Sequence, residues 1–487
     1  MGNAFRSVSL DAVRGAMHRF GWFRPWIWVL LALTGACSAT AAEAPRTAAL
    51  PEIDLAPRPD AFARLAEQVR TGRAALKDRG VEVNATYIGE VFSNRRGGMR
   101  RGTAYEGRLD VQVDADLGTL IGFDGLAFHG NAYQIHGTDI SRYFVGNLAT
   151  VSGIEALPAT RLQELWLEQA FLDRTLTLRA GRLAADSEFL VSPSATVFIN
   201  QTFGWPVITL ANLRSGGPAS PFATPGVRGK WSASDRTTLM LGLFNGDPAP
   251  PRRGDRNLDP QRRNPDGADF PLEVPPLLIA EAAHRYVVDA PGPERTGTVK
   301  LGSYHHFGGF DDLRFDGAGR SLADPSGTGI AHRRRGSDGV YAVVDQTLYR
   351  EDADSDRGAA AFLRIAGSPN ATSVVDLYGD AGLVYKGLLP GRPKDVAGIS
   401  VAYMRIGSAA RGYDRDRIAF EGIAMPVRRF EAVVELTYQV VVAPGFTIQP
   451  DLQYVRAPGG NTWNPRRNGF VRMKDAAVVG IRATIQY

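Results

Sequence analysis

The sequence has a single cysteine, Cys37. That excludes an internal disulfide framework and a cysteine-rich metal site. It has no apolar run of the ~20 residues that carry a helix across a bilayer; the run at residues 26–36 is too short. It has no strong excess of one charge. The 56 Lys and Arg face 51 Asp and Glu, for a formal net charge of +5, which disfavours a nucleic-acid partner. No fixed-period repeat is present, which argues against a propeller or solenoid. Enzyme signatures are missing too. No G-x-S-x-G occurs, and His305-His306 lacks the ligand spacing of a metal-binding helix. Asp352, Asp354 and Asp356 begin like a calcium loop, but Gly358 falls one place late and Leu363 stands where a glutamate is needed. The sequence therefore implies no enzyme, no cofactor and no metal.

What is present fits a different class. Of 487 residues, 44% are hydrophobic and 22% charged, and the mean hydropathy is −0.16. Those values exclude a bundle of membrane helices and wholesale disorder. They do not exclude a membrane β-barrel, whose strands alternate apolar and polar and so average as soluble. The 54 glycines and 30 prolines suit a chain with many turns.

The N-terminus reads as an address. Arg6, Arg14, Arg19 and Arg24 precede the apolar run, and Ala39-Thr40-Ala41-Ala42 supplies small residues for cleavage. A lipoprotein reading of Cys37 is set aside, because Thr34 stands three places before it where leucine is expected. Cleavage near Ala42 removes four Arg and one Asp, lowering +5 by three to +2. Residues 44–59, rich in Ala and Pro, read as a linker. Over 60–80, Phe62, Leu65, Ala66, Val69, Ala75 and Leu76 recur at helical spacing. A packing or plug helix fits that narrow apolar face better than a membrane-surface helix. The expected organisation is a signal peptide at 1–42, a periplasmic linker and short helix at 43–80, and one barrel domain at 81–487.

After Gly80 the period becomes two. Val81, Val83, Ala85 and Tyr87 alternate with Glu82, Asn84 and Thr86; Leu109, Val111 and Val113 alternate with Arg108, Asp110 and Gln112. The chain ends the same way, with Val479, Ile481, Ala483, Ile485 and Tyr487 against Gly480, Arg482, Thr484 and Gln486. Such segments are strands with one apolar and one wet face. About sixteen occur, and the connectors between them alternate long and short, as in outer-membrane barrels. Long loops are expected near 93–103, 137–159, 186–225, 247–276, 308–338, 406–429 and 456–474. The connector near 369–373 is expected to be short although it falls on the long-loop side. The fold class is thus all-β: a transmembrane antiparallel β-barrel of about 16 strands, with a short N-terminal helix.

If the apolar face meets lipid, the wet face lines a lumen. Glu164, Trp166 and Glu168 alternate with Leu165 and Leu167 on one strand. Other strands offer Glu106, Arg108 and Asp110, then Arg179 and Arg228, then Glu431 and Glu435. Both charge signs with an indole suit neutral polyhydroxy solutes: the charged groups hydrogen-bond hydroxyls, and the ring stacks on C–H faces. Cross-strand pairing that only satisfies the lumen explains the same residues. The loop after Arg182 carries Phe189, Leu190, Phe198, Ile199, Phe203 and Trp205, and so apolar a loop is expected to fold inward and narrow the pore. Basic clusters fall in the long loops: Arg95, Arg96, Arg100 and Arg101; Arg252, Arg253, Arg256, Arg262 and Arg263; Arg333, Arg334 and Arg335; Arg466 and Arg467. They can grip lipopolysaccharide phosphates, steer anionic solutes or simply be solvated.

Segments ELWLEQAF (164–171), AGRLAADSEFLVSPSATVFINQTFGWP (180–206), LGLFNGDP (241–248) and DLYGDAGLVYKGLLPGR (376–392), with TYQVVV, QPDLQYV and PGG near the C-terminus, resemble the carbohydrate-selective porin family of bacterial outer membranes, the OprB family. The resemblance implies a sixteen-stranded outer-membrane barrel for passive uptake of glucose-type sugars, with a charged constriction that fits Glu164, Trp166 and Glu168. The W-G-G stretch common before the family's first strand is absent from 63–78, and the last residue is Tyr487 where Phe is commoner. The expected partners are small carbohydrates, outer-membrane lipid and lipopolysaccharide, and the sequence leaves a homo-oligomer open. A general or anion-preferring porin is the alternative, and a secreted soluble lectin or glycosidase a more distant one.

Overall fold

A computed structural model describes residues 59–487 apart from 253, 256 and 290. The expected signal peptide, Cys37, most of the linker, Arg253 and Arg256 lie outside the described residues. The chain enters through a helix, Pro59–Lys77. It stops at a reversal where Gly80 takes φ +83, a conformation that favours glycine. Ala75 and Leu76 are exposed, so polar contacts rather than an apolar face fix the helix end. Arg73 Nη2 donates to Asn84 Oδ1 at 3.1 Å, and Lys77 pairs with Glu82 at 2.8 Å.

Sixteen strands follow. They are β1 (Val81–Gly98), β2 (Gly102–Asp116), β3 (Leu126–Gly137), β4 (Ala159–Phe171), β5 (Leu176–Leu183), β6 (Thr224–Ser232), β7 (Thr237–Asn245) and β8 (Pro276–Val288). The second half comprises β9 (Arg295–Asp316), β10 (Ala331–Arg350), β11 (Gly358–Gly367), β12 (Val375–Lys386), β13 (Val396–Ile406), β14 (Phe430–Ala443), β15 (Phe446–Arg456) and β16 (Lys474–Gln486). Each pairs antiparallel with its chain neighbours, and β1 pairs β16 in a register that sets Glu90 opposite Arg482. The barrel is closed, so no edge leaves unpaired N–H and C=O groups for lipid, where each costs several kcal/mol.

The two faces are the reverse of a water-soluble fold. Outward residues such as Val111 and Leu165 are 39% and 43% exposed, whereas inward Asp110 is 7% exposed. An apolar belt running round the whole sheet is a membrane surface, since soluble monomers rarely expose contiguous apolar patches beyond a few hundred Å².

Connector lengths sort by end. Short turns at 117–125, 172–175, 233–236, 289–294, 351–357, 387–395 and 444–445 share the end that holds the entry helix and Tyr487. Longer loops at 138–158, 184–223, 246–275, 317–330, 407–429 and 457–473 share the other. The connector 368–374 is short, as read from the sequence. One expectation fails: 93–103 is not a long loop. β1 and β2 run up to a three-residue turn at 99–101, because Gly97 and Gly98 at φ +67 and +63 let the chain reverse tightly. Likewise β9 and β10 extend far into the stretch expected as a loop at 308–338.

The apolar core lies inside the barrel, made by loop 184–223. Phe189, Phe203, Trp205 and Ile208 are all buried. Phe203 stands 5.1 Å from Phe198 and 6.2 Å, edge-on, from the β11 ring of Phe362. Such pairs contribute about 0.5–1.5 kcal/mol beyond area burial.

Candidate functional site

Loop 184–223 is held against one side of the wall by groups aimed at its backbone. From β11, Arg364 donates to the carbonyls of Leu190 (3.0 Å), Thr202 (2.9 Å), Phe203 (2.8 Å) and Gly204 (3.1 Å), and its Nε bonds Asp380 of β12 at 3.0 Å. The Tyr378 hydroxyl donates to the same Asp380 at 2.6 Å. Glu435 of β14 accepts from the amides of Ile199 (2.6 Å) and Asn200 (3.0 Å), and Glu281 of β8 from that of Leu190 (3.0 Å). Lys300 of β9 donates to the Val191 carbonyl at 2.8 Å. A loop has no ladder of its own, so buried backbone groups must find side-chain partners. Here the β8–β15 wall provides them.

Two residues read from the sequence as pore lining are corrected by this arrangement. Glu435 is fully buried under the loop. Glu431 is equally buried and accepts from the amides of Leu148 (2.9 Å), Ala149 (2.8 Å) and Gly459 (2.6 Å). Their oxygens are spent on backbone N–H groups and do not face a solute. Glu164 also serves the loop, accepting from the Ala184 amide at 2.9 Å.

Trp166, Glu168, Arg179 and Arg228 do come together. Arg228 bridges Glu168 and Glu188, both at 2.6 Å, and donates to Thr177 at 2.8 Å. Arg179 reaches the same two carboxylates at 3.0 and 2.9 Å. The Arg179 guanidinium lies 3.6 Å from the Trp166 ring centroid, and His129 stacks on that ring at 4.8 Å and 19°. β3 and β5 flank β4, so the two cover opposite faces of the indole. Trp166 is therefore not a free platform for a sugar ring, as the sequence suggested. Its faces are occupied, and it orients Arg179 through a cation–π contact. Sequence reasoning missed Glu188 and His129. His129 sits on the inward register of β3, a signal that alternation carried. Glu188 lies in the loop, where no periodicity marks direction.

The remaining three, Glu106, Arg108 and Asp110, line β2 nearer the long-loop end. Arg108 stacks 4.5 Å over Tyr133, and Asp110 accepts from Gln112 at 3.0 Å and Asn131 at 3.4 Å. Asp186, at the start of the loop, accepts from the Ser220 amide at 2.8 Å. Burial pushes its pKa up to about 6, against the opposing pull of that amide and of Arg108. Two clefts open along this side of the wall. One, of 510 Å³ at the long-loop end, is lined by Arg142, Gln201, Ser215, Phe222 and Asp259 among others. The other, of 580 Å³ at the short-turn end, is lined by Glu82, Asp114, Phe128, Trp166 and Glu168 among others.

A closed sixteen-stranded barrel, apolar outside and charged within, with a long loop folded into its lumen, is the architecture of an outer-membrane porin. Residues 100–487 match the family model described as carbohydrate-selective porin, OprB family, and the chain belongs to that family. It is similar to Porin B of Pseudomonas aeruginosa, 27% identical over 409 residues that cover 80% of this chain and 85% of that one. It also resembles the high-pH structure of Pseudomonas putida OprB, with TM-score 0.74, 23% identity and coverage of 86% of this chain and 97% of that one. The low-pH structure of the same P. putida protein superposes with TM-score 0.51 at 16% identity, with the same coverage of both chains. The chain is thus a sugar-selective channel of the outer membrane, and the family and fold imply a channel rather than an enzyme.

Proposed function

We propose that sugars cross between the loop and the β1–β6 wall. The path runs from the 510 Å³ cleft past Arg108, Asp110 and Asp186 to the Glu168–Arg179–Glu188–Arg228 network, and out through the 580 Å³ cleft. The observation that carries this reading is the division of the wall. The polar groups of β8–β15 are consumed largely by loop backbone, whereas Glu168, Arg179 and Arg228 of β4–β6 pair with one another and with the Glu188 carboxylate. A neutral sugar gains hydrogen bonds from guanidinium donors and carboxylate acceptors alike, while an ion of either sign meets one attractive and one repulsive partner. Half-buried pairs of this kind, already satisfied by one another, hold a solute weakly enough to release it. Glucose-type sugars are the substrates proposed, with Arg108, Asp110, Glu168 and Arg179 touching them.

The test is reconstitution in planar bilayers. Glucose should reduce ion current in a saturable way, and Arg108→Ala and Arg179→Ala should weaken that block. Undiminished block in both variants would remove these residues from the path. Strong preference for chloride over potassium in the wild type would favour the anion-preferring alternative.

A further inference from the structure

Two further clefts lie on the long-loop rim. The first, 280 Å³, sits between the β1–β2 hairpin and loop 457–473. Six cations line it: Arg96, Arg100, Arg101, Arg467, Arg472 and Lys474. No carboxylate does. The second, 590 Å³, is lined by Arg429, Arg456 and Arg472 with Pro426, Val427 and Phe430. Arg472 belongs to both, so the clefts adjoin.

These cations are poorly neutralised. Among the described residues, the nearest carboxylate to any of them is Asp475, 4.0 Å from Arg472. Its oxygens already accept from the Tyr454 hydroxyl at 3.0 Å and the Ala457 amide at 2.9 Å. Arg100 donates to the Tyr143 carbonyl at 3.1 Å and stacks on Phe144 at 4.3 Å. Elsewhere on the rim, Arg314, Arg333, Arg334 and Arg428 each have a carboxylate at 2.7–2.8 Å. Clustered like charges without a counter-ion repel one another, and the cluster is relieved by a polyanion.

The direction the cluster faces selects the anion. Arg96 lies opposite Ala477, and Ala477 opposite Tyr454, an outward residue on the lipid side. Arg456 follows Tyr454 by two residues on β15, so it shares that face about 7 Å further along the strand. Arg96 and Arg456 therefore crown the apolar belt rather than the pore mouth. An anion seated there has phosphate at rim height and hydrocarbon against Tyr454, Val479 and Ile481 below.

We propose that this face, from β14 through β16 to β1, binds the phosphates of lipopolysaccharide, the phosphorylated glycolipid of the outer leaflet. Guanidinium forks suit phosphate oxygens in bidentate geometry, and two adjoining cationic clefts give two such contacts to one lipid.

The test uses the detergent-solubilised mature chain with lipopolysaccharide and with phosphatase-treated lipopolysaccharide as probes. The variant Arg96→Gln/Arg467→Gln/Lys474→Gln should bind lipopolysaccharide about tenfold more weakly, as expected for lost charge-assisted bonds. The control Arg333→Gln should bind as the wild type does. Heat-modifiable migration and unchanged glucose block establish that the barrels are folded; a variant that misfolds is replaced by Arg101→Gln/Arg467→Gln under the same criteria. Equal binding of intact and dephosphorylated lipid, or equal affinity in variant and wild type, overturns the proposal. So does a variant that alters flux of anionic solutes while retaining the lipid, because the cluster would then serve the pore.

Discussion

The two sides of the barrel wall carry the same sequence pattern and meet opposite fates. On β8–β15, inward charges such as Arg364 and Glu435 are buried and saturated by loop backbone, and Asp380 is buried against Arg364 and Tyr378. On β1–β6, inward charges such as Glu168 and Arg179 keep partial exposure, and their strongest partners are other ionic side chains. Alternation places a side chain on the wet face but does not say whether water, solute or protein will stand opposite it. One inward-folded loop decides that, turning half of a hydrophilic lining into a scaffold and leaving the other half for the passage we propose.

The sharpest way to break this contrast is at Arg364. Replacement by Leu frees four loop carbonyls and leaves Asp380 buried without its cation. Removing one partner of such a pair costs about 3–5 kcal/mol. The expected result is a loop released from the β11–β12 wall, a larger and less stable single-channel conductance, loss of saturable glucose block, and unfolding at lower temperature in heat-modifiability assays. Wild-type conductance in Arg364→Leu would mean the loop is held by its apolar side alone.

Glu435→Gln is milder. The amide oxygen still accepts from one N–H, but a charge-assisted bond is lost and a buried donor from Ile199 or Asn200 is left short, for about 1–3 kcal/mol. Conductance noise should rise while mean conductance holds. On the passage side we propose, Glu188→Gln should cost less stability than Arg364→Leu, because the buried Arg228 keeps Glu168 and Thr177 as partners and Arg179 keeps Glu168. It should shift ion preference toward anions and weaken glucose block several-fold. An effect of Glu188→Gln on stability as large as that of Arg364→Leu would erase the distinction between the two sides.

The barrel itself was legible because membrane and lumen impose a strict period of two, and because long and short connectors segregate by end. The β1–β2 turn was misjudged since its arginines looked like loop; Arg95 and Arg96 are rim residues on a strand that outruns the apolar belt, and Arg100 and Arg101 sit in the tight turn itself. The inward charge network was half legible. Trp166, Glu168, Arg179 and Arg228 share an inward face on neighbouring strands, so cross-strand proximity followed from order alone. Glu431 and Glu435 satisfied the same rule, and nothing in their own strand marks them as anchors; the marks lie in distant loop segments, at Leu148–Ala149 and Ile199–Asn200. Glu188 was invisible for the converse reason, since its direction depends on how the loop docks. The role of Trp166 turned on its neighbours: an inward indole reads as a sugar platform until Arg179 and His129 are seen to cover both faces.

The smallest expected effect sits where loop and passage meet. Asp186 has its pKa raised to about 6 by burial, so its charge changes within a range where an ordinary aspartate, near 3.9, does not titrate. A carboxyl with that pKa is about nine-tenths ionised at pH 7 and about one-tenth at pH 5. Acidification therefore removes one negative charge beside Arg108, whose positive charge is then less offset. Cation preference in reversal-potential measurements should fall modestly between pH 7 and pH 5. The Ser220 amide keeps an acceptor in the protonated acid, so the loop should stay in place and conductance should hold. Asp186→Asn should show at pH 7 a selectivity moved toward that which the wild type reaches at pH 5, and should shift less on acidification. If the variant keeps the full pH response, the titrating charge lies elsewhere in the lumen and Asp186 does not border the path.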